Sequence, residues 1–511
     1  MDATSDARLD TLADESLVAA FAYLPPEPIV AVSAASTRYL PVARVDVLWL
    51  PLASRRWRFG AVPTNKEALL PGAREMASES ALAEAAQFPL RRQACVFDFF
   101  AGRCRQDMEV ALLTLQFQQA LLHQSAAAEP SDAEDRRPGA VVRLSGLKSA
   151  PQYNGAVGVL GEPIPGGQRF KVALPTSKNP ISVGGQNLQF CRPPVAAEEA
   201  ERRVLEAGAA GIDSLVRQGN VLGQGPEPAP ATQALAVRYL LTRAMQEWCE
   251  QQWRLLLADR DRTDLLEEGG LIVSQWAEPG NVDVAAVRSR LAELASAVEA
   301  RTSAGAPIME RVEAVSAVLF DEWGFSGDKE NYYNPQNSLL HAVLARRRGI
   351  PISLSIVWVA VARRVSVPCF LLANMPSHVL IRVTTGGGGL RDDIFVDAFH
   401  QKVMDFSKFM QFVASITGRF SEEFAVQRPA TAVYERLLRN LRNIFQEKTQ
   451  TPQGDQLEAF SALQSLGGVC SQMLAIAEPS ADNPEAEQVR AMRDSVRQAS
   501  WKYLTRLRPA R

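Results

Sequence analysis

Leu17, Ala20, Phe21 and Leu24 fall at i, i+3, i+4 and i+7, the spacing of one helix face. Asp14 is placed to cap that helix, and Pro25 and Pro26 end it. Pro28 suits the first turn of a second short helix marked by Ile29 and Val32. Over residues 140–192 the period changes: Phe170, Val172 and Leu174 alternate with Arg169, Lys171 and Ala173, as in a half-buried strand. Val157 and Val159 follow the tight-turn pair Asn154-Gly155. Glycines at 158, 161, 166 and 167 permit sharp bends, so four or five strands closing into a small barrel are predicted. About fifty residues are marginal for independent stability, so this unit is expected to pack on a neighbour.

From Ala231 onward the pattern turns helical. Trp248, Trp253 and Leu255 to Leu257 suggest a buried helix, and 284–300 and 308–323 continue the pattern. Tyr434, Leu437, Leu438, Leu441, Ile444 and Phe445 repeat as an amphipathic stripe, and two or three helices are expected to follow to Arg511. Between these helical stretches, Gly349-Ile350-Pro351 bends the chain. A helix starting near Ser353 carries the apolar stripe Leu354, Val357, Trp358, Val361, Ala362 and Val365, which belongs against a sheet. The strands of that sheet are predicted at 369–372, 378–383 and 394–396, the last two joined by a glycine-rich hairpin loop.

Length and composition narrow the class. A chain of 511 residues implies two to four domains. Linker-like stretches rich in Pro, Ala, Gly and charge lie at 124–139, 191–203 and 218–232. A net charge of -2 gives no global field for nucleic acid or an anionic membrane. The polar, acidic N-terminus does not read as a targeting signal, and the apolar run 354–362 is too short to span a bilayer. Six cysteines without a CxxC pair suit a reducing compartment, cytosol or nucleus.

The chemistry concentrates in residues 331–400, where a Ser-rich helix start, a lone His and a strand-ending Asp follow in order. LFDEWGFSGD (319–328), YYNPQNS (332–338), RRGIPISLS (347–355), ARR (362–364), Asn374-x-Pro376-x-His378 and Phe395-Val396-Asp397 resemble the transglutaminase-like core. That core occurs in a bacterial family that fuses it to tetratricopeptide-like helices and in F-box proteins of eukaryotes. VYERLLRNLRNIF (433–445) resembles the helix that follows the core. The pattern over residues 10–55, with Arg38-Tyr39 and Leu48-Trp49 after the two helices, resembles an F-box.

The resemblance implies a Cys nucleophile at the helix start, a His base and an Asp that fixes the His tautomer. His378 and Asp397 match the last two. Ser353, or less directly Ser355, stands where the Cys is expected. Two readings of Ser353 stay open. In one it works in a Ser-His-Asp set as an amidase, peptidase or acyl transferase. In the other it caps its helix and His378 with Asp397 is a retained hydrogen-bonded pair. Serine has no accessible anion at neutral pH and Pro351 removes a backbone donor, so the second reading, a pseudoenzyme, is the expectation.

Cys369, on a predicted strand, reads as a small core residue. His341 and His400 have no carboxylate or Cys at ligand spacing, so neither metal nor cofactor is expected. Arg346 to Arg348 read as a solvated helix end, and Asn337 and Asn374 as loop-holding side chains.

The expected architecture is α+β and multidomain. It comprises an F-box-like helical domain (1–60), a helical connector (61–123) and a small SH3-like barrel (140–192). A transglutaminase-like α/β core with preceding helices (231–430) and C-terminal helices (431–511) follow. The F-box resemblance implies a Skp-type adaptor bound through Leu17, Phe21, Leu24 and Trp49, and through it a cullin ubiquitin ligase. The core would then serve as the recognition surface for a protein substrate, with no nucleic acid or membrane partner. A non-catalytic scaffold outside any ligase is the remaining alternative.

Overall fold

The computed structural model describes residues 95–123, 141–164, 168–174, 179–190, 197–222, 231–259, 264–303, 305–376, 378–387, 389–450, 456–477 and 483–506. The F-box-like segment, with Leu17, Phe21, Leu24 and Trp49, lies outside them. The chain divides into two compact units, Met1–Ala244 with Leu507–Arg511, and Met245–Arg506.

In the first unit, helix α1 (Cys95–His123) precedes five strands: β1 (Val141–Leu144), β2 (Val157–Pro163), β3 (Arg169–Ala173), β4 (Ile181–Gly184) and β5 (Leu188–Phe190). All neighbours are antiparallel, in the order β4-β3-β2-β1-β5. The alternating stretch read from the sequence is β3, and the Asn154-Gly155 turn leads into β2, with Gly155 at φ 88°. Asn154 closes that turn, accepting from the Leu147 amide at 2.7 Å and donating to its carbonyl at 3.0 Å. The sheet is open, because its edge strands β4 and β5 do not pair with each other. Val142, Leu144, Leu160, Val172, Leu174, Val183 and Leu188 form its core. On the other face Val141 and Val157 pack on Leu115 of α1, the support that so small a sheet needs. Helices α2 (Ala197–Glu206) and α3 (Gly208–Leu222) also pack on α1. Helix α4 runs Ala231–Leu257.

The second unit is built around one helix. Its elements in order are α5 (Leu265–Ala277), α6 (Val284–Glu299), α7 (Ile308–Ser316), β6 (Ser326–Gly327), α8 (Leu340–Arg346), β7 (Arg348–Gly349) and α9 (Pro351–Arg364). Then follow β8 (Cys369–Leu372), β9 (Leu380–Val383), β10 (Ile394–Asp397), β11 (Lys402–Met404) and α10 (Phe406–Thr417). The last helices are α11 (Ala430–Gln450), α12 (Gln456–Ile476) and α13 (Pro484–Arg506). Strands β8 to β11 form an antiparallel sheet in sequential order, one strand wider than the sequence suggested.

Helix α9 begins two residues earlier than Ser353 because Pro351, lacking an N–H and with φ preset, fits the first helical position. Its burial is also wider than a stripe: every residue from Pro351 to Ala362 is buried. One side lies on β8 and β9, and α5, α6, α7 and α8 cover the rest. Ile352, Ile356 and Val359 are buried outside that stripe, and Trp358 of the stripe itself reaches Ser316 of α7 in the helical layer. On the sheet, Leu372, Leu380, Phe395 and Met404 share a face with Phe409 and Val413 of α10, and Phe395 stacks on Phe409 at 3.8 Å.

The amphipathic stripe of α11 is buried as read, from Val433 to Ile444, and Phe445 meets Trp276 edge-on at 6.3 Å. Within α12, Glu458–Ile476 is long and apolar enough to cross a bilayer, but 67% of it is buried. It packs between α11 and α13 as a core helix.

Candidate functional site

The site is assembled by the sheet ends and the loops around the start of α9. Asp397 closes β10, two residues after Phe395, so alternation puts it on the α10 face. Its carboxylate is buried and fully engaged. Oδ1 accepts the backbone N–H groups of Phe399 and His400, both at 3.0 Å. Oδ2 accepts His378 Nε2 at 3.0 Å and His400 Nδ1 at 2.8 Å. Burial alone would raise the Asp397 carboxyl, but the bonds from His378 and His400 together hold it below the usual carboxylate range.

The two imidazoles stack, with ring centroids 5.4 Å apart. His378 is buried and packs its ring on Phe412 of α10 at 5.2 Å, whereas His400 is exposed. Phe399, Tyr332 and Tyr333 continue the aromatic wall, through contacts of 5.2 Å between Phe399 and His400, 6.3 Å between Tyr332 and Phe399, and 5.3 Å between the two tyrosines. Tyr333 is among the most exposed large apolar side chains described. Glycine is needed at 327, since a Cβ there would lie 2.4 Å from the Phe399 ring.

Ser353 is engaged elsewhere. Its Oγ donates to the Asn337 carbonyl at 2.5 Å and accepts the Ile350 N–H at 3.1 Å. Ser353 is therefore not the N-cap but the third helical residue reaching back to the cap, the reciprocal half of a capping box. Among the described residues no hydrogen bond joins Ser353 to His378. Ser355 is fully buried, and among the described residues its Oγ has no hydrogen-bond partner. Cys369 lies in β8, and burial pushes its thiol up to about 12. A thiol so deprived of its anion is a core residue, as read from the sequence.

The loop under Ser353 is held by side chains. Asn337 is wholly buried; its Nδ2 donates to the Asn331 carbonyl at 2.7 Å, and its Oδ1 accepts from Arg346 at 3.0 Å. Arg346 also reaches Asp328 at 3.3 Å, and Asp328 accepts the Asn331 N–H at 2.9 Å. Asn374 likewise bonds the Glu423 carbonyl. The basic run is exposed at the end of α8, as expected of a solvated helix end, and its side chains also bond back to the neighbouring loops. Besides Arg346, Arg347 adopts φ 58° and donates to the Trp323 carbonyl at 3.1 Å, and Arg348 donates to Ser326.

Two histidines also depart from their sequence reading. His400 bonds Asp397, and His341 Nε2 lies 3.2 Å from Glu278. The Asp-Ala-Phe-His spacing carries the signal for His400, because a tight turn after β10 folds position i+3 back on the carboxylate.

The transglutaminase-like superfamily model matches residues 285–439. Those residues form a transglutaminase-like domain. Ser353, His378, Asp397 and His400 all lie inside it. F-box only protein 21 of Mus musculus is 44% identical over 92 residues, 17% of this chain and 14% of that protein. The Homo sapiens protein of that name is 42% identical over 92 residues, again 17% and 14%. A UPF0162 protein of Xylella fastidiosa is 31% identical over 141 residues, 26% of this chain and 49% of that protein. The chain thus spans a seventh of the F-box relatives and about half of this bacterial one. No solved structure matches the chain. The transglutaminase-like domain holds a bonded His-Asp pair and, where its resemblance implied a nucleophile, a serine with no hydrogen bond to that pair among the described residues.

Proposed function

We propose that this chain is a substrate-recognition subunit of a Skp–cullin–F-box ubiquitin ligase, acting in cytosol or nucleus. Its transglutaminase-like domain would be catalytically degenerate and would serve as the recognition surface. The observation that carries the degenerate reading is the Ser353 hydroxyl, whose proton goes to the Asn337 carbonyl and not to His378. A serine nucleophile needs its base within hydrogen-bond reach, and this one has spent its donor on the loop. The identity to proteins named F-box only protein 21 supports the ligase reading, as does the helix–Pro–helix pattern around Leu17, Phe21, Leu24 and Trp49. The exposed Tyr333 and His400 beside the aromatic wall offer the recognition surface its polar-edged, aromatic character. The small open β-sheet would act as spacer or accessory binding module.

Two experiments test the parts separately. Full-length protein should co-purify a Skp-type adaptor, and Leu17→Asp or Leu24→Asp should abolish this while circular dichroism and thermal melting of the core stay unchanged. Undiminished co-purification by both variants would sink the adaptor link. Incubated with a fluorophosphonate probe, the native protein should stay unlabelled. Stoichiometric labelling of Ser353 that disappears in His378→Ala would restore the enzyme reading.

A further inference from the structure

The His378–Asp397–His400 cluster sits in one small volume: Nε2 of His378, a carboxylate oxygen of Asp397 and Nδ1 of His400 all lie within 4.8 Å of one another. We infer that these three side chains form a binding site for a divalent transition-metal ion of the zinc class. Two imidazole nitrogens are borderline donors, and with one hard carboxylate oxygen they favour Zn²⁺ or Co²⁺ over Mg²⁺ and Ca²⁺, which want all-oxygen shells. The donors are also pre-oriented. Oδ1 of Asp397 is held by two backbone N–H groups at 3.0 Å, so Oδ2 faces both rings at a fixed angle. The Phe412 and Phe399 rings meet the His378 ring edge-on, at 5.2 Å and 6.4 Å. His400, with its side chain 39% exposed, supplies both the route for the ion and the rotational freedom to open the cluster to bonds of about 2.0–2.2 Å.

The proton count balances without an external base. Each neutral imidazole now donates its facing N–H to Oδ2. On metal binding each moves that proton to its remote nitrogen, Nδ1 of His378 and Nε2 of His400, and presents a lone pair to the ion. Three protein donors leave one tetrahedral position open, the arrangement of sites that accept an outside ligand. Water, or a carboxylate or thiolate from a bound protein, has the chemistry to fill it. The site does not depend on the ligase reading, since it stands on the geometry of the cluster alone.

The test uses the full chain, stripped with a chelator and titrated with Zn²⁺ by calorimetry and with Co²⁺ by visible absorption. The native protein should bind one ion and give the intense Co²⁺ bands of tetrahedral coordination, with Mg²⁺ unable to compete. Asp397→Asn is the discriminating variant. Its amide NH₂ can donate to both ring nitrogens and so keep the hydrogen-bonded network, but it offers no anionic oxygen to a metal. Asp397→Asn and His400→Ala should each weaken Zn²⁺ binding by at least about tenfold, with circular dichroism unchanged. His341→Ala, which alters the separate pair with Glu278, should bind as the native protein does. Absence of Zn²⁺ binding by the folded native protein would overturn the inference. So would undiminished binding by His400→Ala, whose exposed side chain makes it the variant that folds even if Asp397→Asn does not.

Discussion

Trp358→Ala is expected to lower the stability of the unit holding the transglutaminase-like domain by about 3–5 kcal/mol. Trp358 is among the largest fully buried side chains described, and it sits mid-helix in α9. Helices cover α9 on one side and the sheet on the other, so neither layer can collapse into the space without disturbing the other. The indole N–H also reaches Ser316 Oγ at 3.3 Å, and truncation leaves that hydroxyl without its donor. A loss of this size is about a fifth or more of what a typical domain has in reserve. Urea unfolding followed by circular dichroism would show it as a lower midpoint at an unchanged slope. Trp358→Phe, which keeps most of the ring, should lose clearly less. Equal losses by the two variants would mean that the Ser316 bond, and not the packing, carries the effect.

Asp397→Ala should be the other severe substitution, at about 3–5 kcal/mol, because it orphans several buried hydrogen-bond donors at once. It strips the acceptor from two imidazoles and two backbone N–H groups at once. Each buried donor so orphaned costs about 1–3 kcal/mol, less what water regains at the exposed His400. Asp397→Asn should recover most of the loss, because both rings can switch tautomer to accept from the amide. Thermal melts of the two variants beside the native protein check the ranking. An Asn variant as unstable as the Ala variant would show that the negative charge, and not hydrogen-bond count, stabilises the turn after β10.

The degree to which the sequence announced this domain varied with the kind of signal. Tyr434 to Ile444 was legible because one face of α11 is buried and the other is not, so the helical period survives in the residue types. Strands β8, β9 and β10 were placed within two residues for a similar reason, each being a short apolar run between turn residues. Helix α9 was found but its surroundings were misread. When all sides of a helix are buried, hydrophobic positions carry no direction, and the stripe from Leu354 to Val365 was one choice among several. Strand β11 has three residues, too few for a period to register. His378 and Asp397 were read from motif order and proved to be bonded. His400 was set aside for want of a carboxylate at ligand spacing, although Asp397 stands three residues before it and the tight turn after β10 folds the two together. Ser353 fell between the alternatives: it serves the helix start, but from the third helical position, through a contact sixteen residues away that no local rule contains.

That contact makes two distant stretches of chain answer to each other. Asp328, Asn331, Asn337, Arg346 and Ser353 form one continuous set of hydrogen bonds, with side chains at four of the five positions and main-chain groups of Asn331 and Asn337 as partners. The consequence is epistatic. A substitution at Asn337 changes what Arg346 must do, and a substitution at Ser353 changes what the Asn337 carbonyl must do. Their effects will not add, as is usual for residues sharing one network. The segment Asn331–Ser338 and the start of α9 are therefore energetically coupled, so stability effects of substitutions in the two stretches should depend on one another.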